Sequence, residues 1–151
     1  YYLVKKDGKE AIFHKDGNQI TKWFDWIDKE GLIKGESNYY IAKKDGKEAV
    51  FDKNGKQITH WFDKILPYGL VKGESDYFIA FDGNTCAVYH KDGKKFSNDF
   101  SIKSEEIKNA KINENLGIAE LFNGNGNLIK SVDFIYPFKE EIIDYTKLLN
   151  I

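Results

Sequence analysis

The sequence contains no arginine and no methionine, and it has one cysteine and two prolines. Without arginine, bidentate guanidinium clamps on phosphate or carboxylate are excluded. All 23 basic residues are lysines set against 24 acidic ones, so no basic surplus is available to neutralise a nucleic-acid backbone. Cys86 stands alone, which excludes an internal disulfide and a cysteine-based metal centre. No apolar run approaches the ~20 residues of a membrane-spanning helix, so no membrane span is expected in this stretch. The missing methionine and an opening on Tyr1-Tyr2-Leu3-Val4 predict a fragment or processed form whose N-terminus lies upstream. The compartment is therefore left open. The Lys, Asn and Ile bias predicts a bacterial source.

What the sequence has is repetition. KKDGKEAIFHKDGNQITKWFD at 5–25 returns as KKDGKEAVFDKNGKQITHWFD at 43–63, and 25 of the first 38 positions are identical to those 38 residues later. A third copy opens at Tyr77-Phe78-Ile79-Ala80 and keeps Lys91-Asp92-Gly93-Lys94, but it has Asp99 where the others have Trp23 and Trp61. A fourth is faint: Leu116-Gly117-Ile118-Ala119, then Asn123-Gly124-Asn125-Gly126. A period in this range marks a solenoid, a propeller or an array. The chain thus reads as one β-repeat domain over 1–151, with units at about 1–38, 39–76, 77–114 and 115–136 and a cap over 137–151.

Each unit is expected to be a four-stranded antiparallel meander, in the second copy Tyr39–Lys44, Glu48–Lys53, Gln57–Ile65 and Leu70–Gly73. Asp7-Gly8, Asp45-Gly46 and Asn54-Gly55 are hairpin signals, because a type I′ turn needs positive φ at both central residues. Tyr40-Ile41-Ala42 and Ala49-Val50-Phe51 are continuous apolar runs, which predicts cover on both sheet faces. Stacked sheets follow, propeller-like or a β-solenoid, with an open twisted sheet as the alternative. Pro137 followed by Phe138, Ile142, Tyr145 and Leu149 at helical spacing predicts a short C-terminal helix.

Tyr68-Gly69-Leu70-Val71-Lys72, Lys44-Asp45-Gly46-Lys47 and Phe51-Asp52-Lys53-Asn54-Gly55-Lys56 resemble the bacterial WG (KWG) β-repeat proteins. The naming Trp-Gly pair is replaced here by Glu48-Ala49, and the unit is longer. The resemblance implies tandem β repeats and supplies no catalytic residues.

Four aromatics are candidate ligand contacts: Trp26, Trp23, Trp61 and Tyr68. Trp26 is replaced by Lys64 in the next copy, which marks it as an exposed anchor, whereas packing between units is the ordinary fate of Trp. His14, Asp52 and His90 share one repeat position, where a closed ring would bring them together as metal ligands; a polar slot beside a turn explains them equally. Asp52-Lys53-Asn54-Gly55 and Asp82-Gly83-Asn84 lack the ligands of a full calcium loop. No cofactor is expected. The expected function is a non-enzymatic binding or scaffolding module for a protein partner. The alternatives are a carbohydrate-binding module using exposed Trp and Tyr, and a hydrolase using carboxylates such as Glu36 and Glu74.

Overall fold

The computed structural model describes residues 1–134. These residues are all-β, arranged as several small antiparallel sheets. The C-terminal helix expected after Pro137 lies outside the described residues.

Three hairpins repeat at the sequence period. β1 (Tyr2–Lys6) pairs with β2 (Lys9–Phe13), β4 (Tyr39–Lys44) with β5 (Lys47–Asp52), and β7 (Tyr77–Asp82) with β8 (Thr85–His90). The turn chemistry acts as its letters predict: Asp7-Gly8 and Asp45-Gly46 all have positive φ, between 51° and 79°. At the second turn, Asn54-Gly55 and its counterparts, only the glycine has positive φ (Gly17 96°, Gly55 83°, Gly93 87°), so the type I′ turn expected at Asn54-Gly55 does not form, and each copy closes this turn alike. His14, Asp52 and His90 donate their N–H to the carbonyls of Asn18, Lys56 and Lys94 at 2.8–2.9 Å. The fourth copy repeats this from Asn123 to Asn127 at 3.0 Å.

The expected third and fourth strands do not form. Gln57–Ile65 is broken into isolated bridges, Gln57 to Phe51 and Phe62 to Glu48, and then Lys64–Ile65 (β6) turns to the next hairpin and pairs with β7. Trp26–Ile27 (β3) does the same between the first hairpin and β4. The reason lies in the side chains. Buried Thr21 and Thr59 accept the N–H of Ile12 and Val50 at 3.0 and 3.1 Å, filling the place of a strand partner. Glu10 and Glu48 then accept the N–H of Ile27 and Ile65 at 2.9 and 2.8 Å, holding the chain at the crossover. Each such strap is therefore a staple between consecutive copies. Leu70–Gly73 is a turn flanked by Gly69 (φ 91°) and Gly73 (φ 77°), whose handedness no strand allows. Its Leu70 and Val71 are buried as a plug.

The sheets accordingly mix units: β1-β2, β3-β4-β5, β6-β7-β8-β9 with β9 at Phe100–Ser101, and β10-β11-β12. After a single 3₁₀ turn at Ser104–Glu106, β10 (Asn109–Asn113), β11 (Ile118–Phe122) and β12 (Leu128–Asp133) form the last sheet. The fourth hairpin thus begins at Asn109, ahead of the boundary expected at 115.

The core lies between copies, in layers. Ile12, Phe24, Ile27 and Leu32 of the first copy pack on Tyr40, Ala42, Ala49 and Phe51 of the second. One repeat later, Ile41, Val50, Phe62, Ile65, Leu70 and Val71 pack with Phe78 and Ala80. The alternation of a strand sends Tyr40 and Ala42 one way and Ile41 the other, so each middle hairpin is covered on both faces, as its continuous apolar runs predict. The last layer joins Ile79, Phe81, Cys86 and Val88 to Ala110, Ala119 and Leu121. At Gly73, a Cβ would stand 1.9 Å from the Glu36 carbonyl oxygen, so glycine is what lets successive plug turns touch.

Candidate functional site

Between the first and second hairpins the layer opens into a groove of about 420 Å³. Phe24 arrives on the strap, Tyr40 and Phe51 on β4 and β5, and Trp61 on the stretch leading to β6. These four rings form one aromatic wall. Tyr40 and Phe51 are stacked with centroids 5.5 Å apart, Phe51 and Trp61 meet edge to face at 5.9 Å, and Phe24 lies 6.3 Å from Trp61. Lys22, Lys44, Asn54 and Gln57 supply the polar rim. Gln57 is held by its side-chain N–H to the Thr59 carbonyl, 2.7 Å. Tyr40 is fully buried, and its hydroxyl has no hydrogen-bond partner among the described residues. Burial pushes its ionisation well above the ordinary tyrosine range, so it stays a neutral O–H. A buried hydroxyl without a partner costs free energy.

The next interface is built differently. His60 stands where Lys22 does, its ring 3.8 Å from that of Phe62, and Asp99 replaces Trp61. Phe62, Phe78 and Tyr89 repeat the other three rings there, so the tryptophan is what distinguishes the first interface. Phe24, Tyr40 and Phe51 are buried behind half-buried Trp61, so the groove's chemistry suits an apolar side chain laid on Trp61 with an anionic group near Lys22 and Lys44.

The expected site residues are not brought together. Only Trp61 lines the groove. Trp23 holds the equivalent place one copy earlier, 37% exposed and 6.1 Å from Phe13. Trp26 sits on β3 opposite Lys43, also 37% exposed. Tyr68 is a tether: its hydroxyl donates to the Lys108 carbonyl at 2.7 Å, and Lys72 lies over its ring. His14, Asp52 and His90 each cap their own turn, accepting the N–H two residues on at 2.9–3.3 Å, and Asn123 does so in the fourth copy. Among the described residues no three potential metal ligands converge. Tyr40 and Phe24 were missed by sequence reasoning, which treats buried repeat positions as packing alone.

A slightly larger opening, about 460 Å³, lies along the plug turns and includes Glu36 and Glu74. Their carboxylates accept the N–H of Gly31 and Gly69 at 2.9 and 3.1 Å and close those turns. The carboxylates displaced from their ordinary ionisation, Asp16, Asp25, Glu30, Asp63 and Asp92, are all lowered. For Asp25 and Asp63 the first cause is the lysine that bonds them, Lys9 and Lys47. Cys86 is buried, which pushes its thiol up to about 12.

Compared with known families and curated proteins, the sequence matches no family model and no curated chain.

Proposed function

We propose that this protein is a non-enzymatic repeat module that binds or scaffolds other proteins, receiving an apolar side chain with a neighbouring carboxylate in the groove beside Trp61. The observation that carries this reading is Trp61, half-buried on the groove against the buried rings of Phe24 and Phe51, with Lys22 and Lys44 on the same rim. Apolar walls with a few placed polar groups are the usual make-up of a recognition site. The hydrolase alternative is disfavoured by geometry, since Glu36 and Glu74 each close their own turn on the N–H of Gly31 and Gly69. The stacked hairpins belong, on this reading, to a solenoid-like array akin to the WG repeats, whose regular surface suits an extended partner.

The test is a displayed-peptide selection on the full chain, followed by titration of the selected peptides. Trp61→Ala is expected to weaken binding by about tenfold or more, the scale of an aromatic anchor. Trp26→Ala is expected to leave it unchanged. Equal binding to wild type and Trp61→Ala would remove the groove from the mechanism.

A further inference from the structure

The first hairpin turns one face outward. Tyr2, Val4, Phe13 and Trp23 occupy the repeat positions of Tyr40, Ala42, Phe51 and Trp61. Tyr40 and Phe78, in the second and third copies, are 0% exposed beneath the preceding copy, whereas Tyr2 is 44% exposed. Tyr2 stacks on Phe13 at 6.0 Å as Tyr40 stacks on Phe51 and Phe78 on Tyr89. The face is thus preassembled in the geometry that its copies use to receive a neighbour.

Two further features of that reception stand vacant at the same place. β4 and β7 each take a strap along their outer edge, with the N–H of Asp25 and Asp63 on the carbonyls of Lys43 and Phe81 at 2.9 Å. β1 pairs with β2 alone. The first turns of the later copies are also capped, Asp25 accepting the Asp45 N–H and Asp63 the Gly83 N–H. Among the described residues no carboxylate reaches the matching Asp7 N–H.

The opposite end of the stack differs. In the last hairpin Ala110, Ala119 and Leu121 point into the core, and Asn109, Lys111, Asn113 and Glu120 share the other face with half-buried Ile118 and Phe122. Among the described residues after Ile65 no Phe-Asp-x-Ile strap recurs, so this end does not offer a second copy the element that the first two copies use for stacking.

We propose that the outward face and free edge of the first hairpin are a docking surface for another repeat of this same class. The occupant presents an apolar strap with the pattern Phe-Asp-x-Ile, as Phe24-Asp25-Trp26-Ile27 does to the second copy. Its Phe lies on Tyr2, Phe13 and Trp23, its backbone pairs with β1, and its Asp caps the Asp7 turn.

An extra copy of residues 1–38 is fused ahead of Tyr1 of the full chain, so that Asn38 joins Tyr1 as it joins Tyr39. Hydrogen exchange of the β1 amides is then compared with the unfused chain, where it is expected to be fast. Fusion is expected to slow it by about tenfold or more. Tyr2→Lys in the recipient copy and Phe24→Asp in the added copy are each expected to restore the fast exchange. Both lie outside the groove's Trp61, so failure here leaves the peptide selection informative. Unchanged β1 exchange on fusion overturns the proposal. So does slow exchange in the unfused chain, alone or as a concentration-dependent dimer, because another occupant then holds the face.

Discussion

Thr59→Val removes one oxygen and keeps the side-chain shape, so it isolates the hydrogen bond on which the strap geometry rests. The Thr59 hydroxyl accepts the Val50 N–H at 3.1 Å and donates to the His60 carbonyl at 2.8 Å. Val50 is fully buried and Thr59 nearly so, which keeps water from replacing the lost oxygen. Leaving the Val50 N–H unpaired costs about 1–3 kcal/mol. With about 2 kcal/mol lost and a urea slope of about 2 kcal/mol per molar, the unfolding midpoint falls by roughly 1 M. Thr59→Ser keeps both hydrogen bonds and loses one methyl group, about 0.8 kcal/mol, and the third copy already uses Ser97 to accept the Val88 N–H at 2.8 Å. Thr21→Val should repeat the loss, since Thr21 makes the same pair of bonds. The assay is urea unfolding followed by circular dichroism with slopes compared between variants. A Val variant within about 0.5 kcal/mol of wild type, or a Ser variant less stable than Val, would refute the reasoning.

Two further outcomes follow from the titratable groups. Asp25 and Asp63 have folded-state pKa values below their ordinary one, chiefly because Lys9 and Lys47 bond them. Their contribution is therefore complete above about pH 4–5 and is lost as pH falls through the lowered values; Asp25→Asn with Asp63→Asn should flatten the acid limb of a thermal-stability profile, and an unchanged limb would count against these pairs. Cys86, buried and pushed up to about 12, should react with a thiol reagent at pH 8 far more slowly in the native protein than in denaturant, as followed by absorbance; equal rates would contradict its burial.

The hairpins were legible because their signals are local. Asp-Gly pairs demand positive φ, and two continuous apolar runs demand two covered faces, so β4 and β5 follow from about a dozen letters. The straps were not legible as such, because their pairing is set by partners a full repeat away. Phe62-Asp63-Lys64-Ile65 reads as the end of a strand in its own unit, yet Phe62 bonds back to Glu48 while Ile65 pairs forward with Ala80. Leu70–Gly73 reads as a strand by its apolar pair, and only the positive φ of two glycines turns it into a plug. The groove was half legible. Trp61 stood out as an unusual letter, but Tyr40 shares its position with Tyr2 and Phe78, and sequence gives no sign that a groove opens beside it at the first interface.

The same logic explains why the period fails after the third copy. The strap needs a carboxylate on β5 to catch its backbone and a carboxylate at its start to cap the next turn. Glu10 and Asp25 serve the first strap, Glu48 and Asp63 the second. In the third copy both are gone: Cys86 replaces Glu48 and Ser101 replaces Asp63, while Lys103 replaces Ile65. Cys86 offers a thiol to the Phe100 carbonyl at 3.5 Å and no acceptor for the crossover. The chain pairs back onto β8 through β9, as Phe24 and Phe62 bridge back to Glu10 and Glu48 in the earlier copies, but it then continues through a 3₁₀ turn with no strap paired to the fourth hairpin. The last sheet is built from its own three consecutive strands. The third hairpin still packs on the fourth, through Ile79, Phe81, Cys86 and Val88 against Ala110, Ala119 and Leu121, but side-chain burial alone joins them, with no carboxylate-held strap paired across the boundary.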